Sequence, residues 1–227
     1  MFRKCRILVF MGFYLPGYKA GGPIKTILNM VEQLSDEYEF LIVTRDRDSG
    51  SAEPYVNVPL NQWVQVGNAH VFYCPPKQQS VSAFAKVIND TEFDVLYLNS
   101  FFDPVFTLKP LLARYLGSTT KTPFVLAPRG EFSEGAMQLK WLKKKLFILV
   151  TRLFKLYKNI IWQASSEHEF EDIKRIFHVS DEDILIALDL TEKVGMQATV
   201  VKESNATLDA LPFLRIIFLS RISPMKN

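Results

Sequence analysis

The chain has 227 residues, 48% of them hydrophobic and 22% charged, enough apolar material for one large core or two small ones, which excludes disorder as a whole. Its net charge is only +3, so no global basic excess argues for nucleic acid as a partner. Cys74 closes an apolar run and Cys5 stands two residues before one, and His70, His168 and His178 lack ligand spacing; the pattern predicts buried reduced thiols, a reducing compartment, and no metal or other cofactor.

Met1 to Lys4 followed by Ile7 to Met11 has the outline of a signal peptide. The apolar run is short, however, no small-residue cleavage site follows, and Pro16-Gly17 leads into a glycine-rich turn. A first strand at Ile7 to Phe10 is the better reading. After the turn, Pro23 is suited to a first helical position, and Ile24, Ile27, Leu28, Val31 and Leu34 recur at helical spacing. Further strands are expected at Phe40 to Thr44, His70 to Cys74, Val95 to Asn99, Pro123 to Ala127, Ile160 to Ala164 and Ile184 to Ala187. Helices are expected at Val81 to Ile88, Val105 to Tyr115 and Glu167 to Phe177, the last capped by Ser165 or Ser166. Asp46 to Gln65, with Pro54 and Pro59, reads as a long connection. This alternation predicts an α/β domain whose parallel sheet is covered by helices on both faces. No apolar stretch reaches about 18 residues, so no transmembrane helix is expected.

Three segments carry candidate chemistry. The turn from Gly12 through Gly17 to Gly21-Gly22-Pro23 ends at a helix start, where backbone amides and the helix dipole favour an anion. It lacks the G-x-G-x-x-G spacing of dinucleotide sites, which disfavours a nicotinamide enzyme, and a plain flexible turn is the alternative. Ala127-Pro128-Arg129-Gly130-Glu131-Phe132 leaves a strand for a loop; Arg129 cannot shuttle protons at neutral pH, so its role would be electrostatic or positional. Glu131 reads, by position alone, as a loop carboxylate. Near the end, the strand-length run Leu214 to Leu219 precedes Arg221 and Lys226, two cations that suit a diphosphate, with a solvated basic turn as the alternative.

Ser220-Arg221-Ile222-Ser223-Pro224-Met225-Lys226-Asn227 resembles the G-R-L-S-P-E-K-G/N segment that opens the donor-binding domain of retaining glycosyltransferases of family 4. Ala127 to Phe132 is similar to that family's S-P-R-G-M-L segment, with Arg129 where many relatives carry His and Glu131 at the usual Met, where the resemblance implies a variant that contacts the acceptor. Ser165-Ser166-Glu167-His168-Glu169 is similar to its T-S-E-x-E segment, although carboxylates in a first helical turn are already explained by the helix dipole. The resemblance spans essentially the whole chain. It lapses at Ala187-Leu188-Asp189-Leu190, where relatives carry a Pro-Asn-Gly turn.

The resemblance implies the amino-terminal half of a GT-B fold, a pair of facing Rossmann-like domains. Residues 1–211 would be the acceptor-side domain with its linker, and residues 212–227 the start of a truncated donor-binding domain. It further implies that Arg221, Lys226 and the Gly21-Gly22 loop hold the donor diphosphate, with no obligatory metal. Asn99, Asp103 and Glu167 would edge the acceptor cleft, with Arg129 and Glu131 as the catalytic candidates. The implied activity is transfer of a sugar from a nucleotide-sugar donor to a glycan or lipid-linked acceptor in cell-surface polysaccharide assembly. The chain alone is expected to be inactive, because the donor's base and most of its sugar would be gripped by a carboxyl-terminal domain. The rival reading is a noncatalytic membrane- or glycan-binding module.

Gln138 to Lys158 contains seven cations and no acidic residue. At about 100° per residue, Leu139, Leu142, Leu146, Leu149, Val150, Leu153 and Leu156 form one stripe expected to pack on the domain. The opposite face would present Lys140, Trp141, Lys144, Lys145, Ile148, Arg152 and Lys155, suited either to solvent or to an anionic membrane surface on the cytoplasmic side.

Overall fold

The computed structural model describes residues 3–119 and 122–192. Within them the expected alternation is present: β1 (Cys5–Phe10), α1 (Gly22–Leu34), β2 (Tyr38–Arg45), β3 (Trp63–Val66), β4 (Ala69–Cys74), α2 (Val81–Asn89), β5 (Val95–Asn99) and α3 (Leu108–Tyr115). They are followed by β6 (Phe124–Ala127), α4 (Glu134–Gln138), α5 (Trp141–Leu153), β7 (Ile160–Ala164), α6 (Glu167–Phe177) and β8 (Ile184–Ile186). The strands form one eight-stranded sheet in the order β3-β4-β2-β1-β5-β6-β7-β8. Every pair is parallel except β3 with β4, so the fold is a Rossmann-like open α/β sheet.

Strand residues alternate between two cores. Leu8 and Phe10 of β1, Leu41 and Val43 of β2, and Leu96 and Leu98 of β5 belong to one cluster. Val9, Phe40, Ile42 and Tyr97 belong to the other. Because successive side chains point to opposite faces, a strand with apolar residues at nearly every position must be covered on both sides. The first cluster takes Phe84 and Ile88 of α2, Leu111 of α3, Ile148 of α5 and Ile173 of α6, and the second takes Ile27 and Val31 of α1. Phe101 anchors an aromatic group in the first cluster, with ring centroids 4.7 Å from Phe132, 4.7 Å from Tyr157 and 5.5 Å from Phe147.

Four expectations are corrected. The stretch from Asp46 to Gln65 is not connection throughout, because Trp63–Val66 forms an antiparallel edge strand on β4. Val66 pairs with Ala69 across Gly67-Asn68, and Gly67 has a φ of +58°, the conformation that a two-residue hairpin needs at its first position. The helix expected from Val105 begins at Leu108, because the Asp103 carboxylate accepts from the N–H groups of Val105 and Phe106 and holds a turn there. Cys74 is buried, and burial pushes its thiol up to about 12, whereas Cys5 is only half-buried.

The fourth correction concerns the basic helix. It is not continuous from Gln138 to Lys158: Leu139 is extended and Lys140 is left-handed, which separates α4 from α5. The face expected to pack inward points outward. Leu142, Leu146, Leu149 and Leu153 are 65, 61, 64 and 74% exposed, while Ile148 is 8% exposed. Leu139 and Val150 are exposed as well, and Leu156 alone of the expected stripe is buried. Phe147 packs on Phe101 and Phe102, and Thr151 is buried beside Ile148. Lys144 also points inward, donating to the Ala136 carbonyl at 2.7 Å with its ammonium 4.7 Å from the Phe102 ring. Lys144 and Ile148 are therefore not part of an outward cationic face. Replacing Ile148 by Ala should cost about 2 kcal/mol or more. Replacing Leu146 by Ala should change stability by no more than about 0.5 kcal/mol. Urea unfolding of the two variants distinguishes this orientation from its opposite.

Candidate functional site

The carboxyl ends of β1, β5 and β6 open into a cleft of about 650 Å³, lined in part by Gly12, Lys19, Asn99, Asp103, Arg129 and Glu131. β1 has β2 on one side and β5 on the other, so the crossovers leaving this edge diverge and part the loops. Open α/β sheets bind ligands at such a point.

One wall is the glycine-rich turn. Gly12 lets the turn approach Asp103 closely, since a Cβ there would lie 2.7 Å from Asp103 Oδ2 and displace that carboxylate. Gly21, with a φ of +67°, precedes α1, which has no side-chain cap and no acidic residue in its first turn. A Cβ added at Gly21 or Gly22 would meet nothing within 4 Å. This uncapped helix start, next to the cleft-lining Ala20 and Pro23, suits an anion. Asp48 holds the turn by accepting from the N–H groups of Tyr18 at 3.1 Å and Lys19 at 3.3 Å. Burial by itself would raise the Asp48 carboxyl, but the N–H groups of Tyr18, Ser49 and Lys19 outweigh it and hold the group below the ordinary range.

The opposite wall is the loop after β6. Arg129 has a φ of +59° and Gly130 one of +72°. Arg129 Nε donates to Asn99 Oδ1 at 2.7 Å, Nη2 donates to the Tyr97 hydroxyl at 2.6 Å, and Nη1 pairs with Asp189. Burial pushes the Tyr97 hydroxyl up to about 12, the Arg129 charge opposing this, so it stays protonated and donates to Gln163 Oε1 at 2.5 Å. The guanidinium thus ties β5 to the segment after β8, and the Tyr97 hydroxyl carries the link on to Gln163 of β7. The same guanidinium-bearing residue lines the cleft.

Glu131 is a structural clasp that also borders the cleft. Its carboxylate accepts from Ser100 Oγ at 2.7 Å and from the N–H groups of Phe101 at 2.6 Å and Phe102 at 3.0 Å. These bonds fix the turn after β5, where Ser100 has a φ of +111°. Asp103, on the same turn, has its Oδ2 3.8 Å from the Arg45 guanidinium.

Of the expected site residues, Asn99, Asp103, Arg129 and Glu131 come together here, whereas Gly21 and Gly22 are not among the lining residues, although their neighbours Ala20 and Pro23 are. Glu167 is exposed on the first turn of α6 and is not among the residues lining the cleft. Its neighbour Glu169 is the buried carboxylate, accepting from Gly130 N–H at 2.6 Å and from Ser165 N–H and Oγ, both at 2.7 Å. Arg221 and Lys226 lie outside the described residues. Sequence reasoning missed Lys19, Tyr97, Gln163 and Asp189. Only Asp189 carried a signal, because it sits where the family resemblance lapses. Among the described residues, no group of three or more His, Cys, Asp or Glu side chains could hold a metal ion. No protein-family model and no curated protein matches the chain.

Burial pushes the Glu131 carboxyl above the ordinary glutamate value, while the bonds from Ser100, Phe102 and Phe101 and the Lys144 charge pull it down without cancelling the effect. A raised folded-state value contributes stability that is fully present below the unfolded value and is lost as pH rises through the folded one. Glu131→Gln should abolish that slope. Its unfolding midpoint, followed from about pH 4 to about pH 7, should rise relative to the parent's as pH increases, on top of a constant offset.

Proposed function

We propose that this Rossmann-like domain is the acceptor-side lobe of a retaining glycosyltransferase that moves a sugar from a nucleoside diphosphate donor to a glycan or lipid-linked acceptor. Cell-surface polysaccharide assembly is the setting in which such an acceptor is used. One convergence carries the reading. The two internal segments that resemble family 4 enzymes, far apart in sequence, are joined by the 2.6 Å bond from Gly130 N–H to Glu169. Arg129 then connects them to Asn99, across the cleft from the glycine-rich turn.

In the proposed chemistry, departure of the nucleotide builds negative charge on the diphosphate. Fixed cations and helix amides favour that charge, and they do so without reorganising when it forms. From this lobe the start of α1 would supply its dipole and the exposed Lys19 a cation. Arg221 and Lys226 would supply two more by resemblance, and a donor-binding domain would grip the base and most of the sugar. Arg129 would keep the floor of the cleft in register, and Asn99 and Asp103 would border the acceptor.

The test is to purify the chain alone and joined to a donor-binding domain of a family 4 enzyme, and to measure sugar transfer. The chain alone should give no turnover, and the joined protein should transfer. Gly22→Asp, which adds a carboxylate at the open start of α1, should weaken donor affinity roughly fivefold, the scale of a charge at a helix terminus. Unchanged donor affinity in that variant would remove α1 from the site. Transfer by the chain alone at the rate of a full-length enzyme would overturn the division of labour between the lobes.

A further inference from the structure

We infer that the outward face of α5 docks on an anionic lipid surface, a role that stands whether or not the cleft transfers a sugar. Leu142, Leu146, Leu149 and Leu153 fall within roughly 60° of one another at about 100° per residue, so they form one narrow apolar ridge. All four are exposed, and Trp141, Val150 and Phe154 extend the exposed apolar surface to either side. An apolar surface of this kind on a folded domain marks an interaction site. The same helix already buries a different face, through Phe147, Ile148 and Thr151, so the ridge is not needed to hold α5 on the domain.

Charge selects the occupant. The segment from Gln138 to Lys158 has no acidic residue, and Lys140, Lys143, Lys145, Arg152, Lys155 and Lys158 are all exposed on it. Lys143 and Lys145 flank the ridge one on each side, the arrangement in which leucines enter the acyl boundary while ammonium groups stay at headgroup level. A second copy seated on the ridge would bring these cations against their own kind. At the carboxyl end of α5, Arg114, Lys155 and Lys158 share a hollow of about 440 Å³ with Leu153 and Phe154. Arg114 Nη2 donates to the Asn159 carbonyl at 3.0 Å, while its Nη1 is buried without a hydrogen-bond partner among the described residues. A lipid phosphate in this hollow would meet three cations beside the apolar ridge. Among the described residues no helix is long and apolar enough to cross a membrane.

The experiment is flotation of the 227-residue chain with vesicles of phosphatidylcholine alone and of phosphatidylcholine containing phosphatidylglycerol. The chain should float with the anionic vesicles and not with the neutral ones, and added salt should weaken the association. The paired change Leu146→Ser and Leu149→Ser should lower the bound fraction at least tenfold with an unchanged unfolding midpoint, because both side chains are exposed. Lys143→Gln with Lys145→Gln should lower it while leaving the ridge intact. Equal flotation with both vesicle types overturns the inference, as does flotation that the leucine changes leave untouched. Failure to float, together with a concentration-dependent dimer that the leucine changes dissolve, would overturn it in favour of self-association.

Discussion

A parallel sheet covered on both faces constrains everything else in this molecule. Leu8 and Phe10 are buried in one core and Val9 in the other, so the central strands have no lateral surface left for a ligand. What remains open is the edge at the strands' carboxyl ends. The crossovers diverge on either side of β1, which parts the loops there and leaves a cleft. Packing and function are thus divided geometrically: the sheet supplies rigidity, and the loops after β1, β5 and β6 supply polar groups.

Those loops would not hold their shape by local preference. Ser100, Arg129 and Gly130 all have positive φ, a conformation that costs energy for the first two and needs outside support. Two carboxylates, the partly buried Glu131 and the buried Glu169, provide it. Glu131 gathers Ser100, Phe101 and Phe102 into a turn, and Glu169 fastens Gly130 to the start of α6. The turn held by Glu131 also delivers Phe101 into the aromatic group with Phe132 and Tyr157. The polar rim of the cleft and the deepest part of one core are therefore set by the same residues.

The α5 helix separates what periodicity can and cannot say. Two apolar faces compete on it, one of leucines and one built from Phe147 and Ile148, and hydropathy ranks the leucine face as the better core. The position of the aromatic group settles the matter, because Phe147 reaches Phe101 and Phe102 only when the leucines point away. The break at Leu139 and Lys140 frees α5 to take this orientation independently of α4. The hairpin at Gly67-Asn68 was legible from its glycine between two short apolar runs, but the prolines upstream masked it.

The sequence by itself determined the class of fold, seven of the eight strands and the loops that form the cleft, because parallel strands and their covering helices write their burial directly into residue spacing. It also singled out Asn99, Asp103, Arg129 and Glu131. Only the tertiary structure decided their partners and which face of α5 is turned to the outside. Such contacts join residues remote along the chain, Arg129 with Asp189 and Gly130 with Glu169, and no local pattern encodes a distance between groups on different loops and helices.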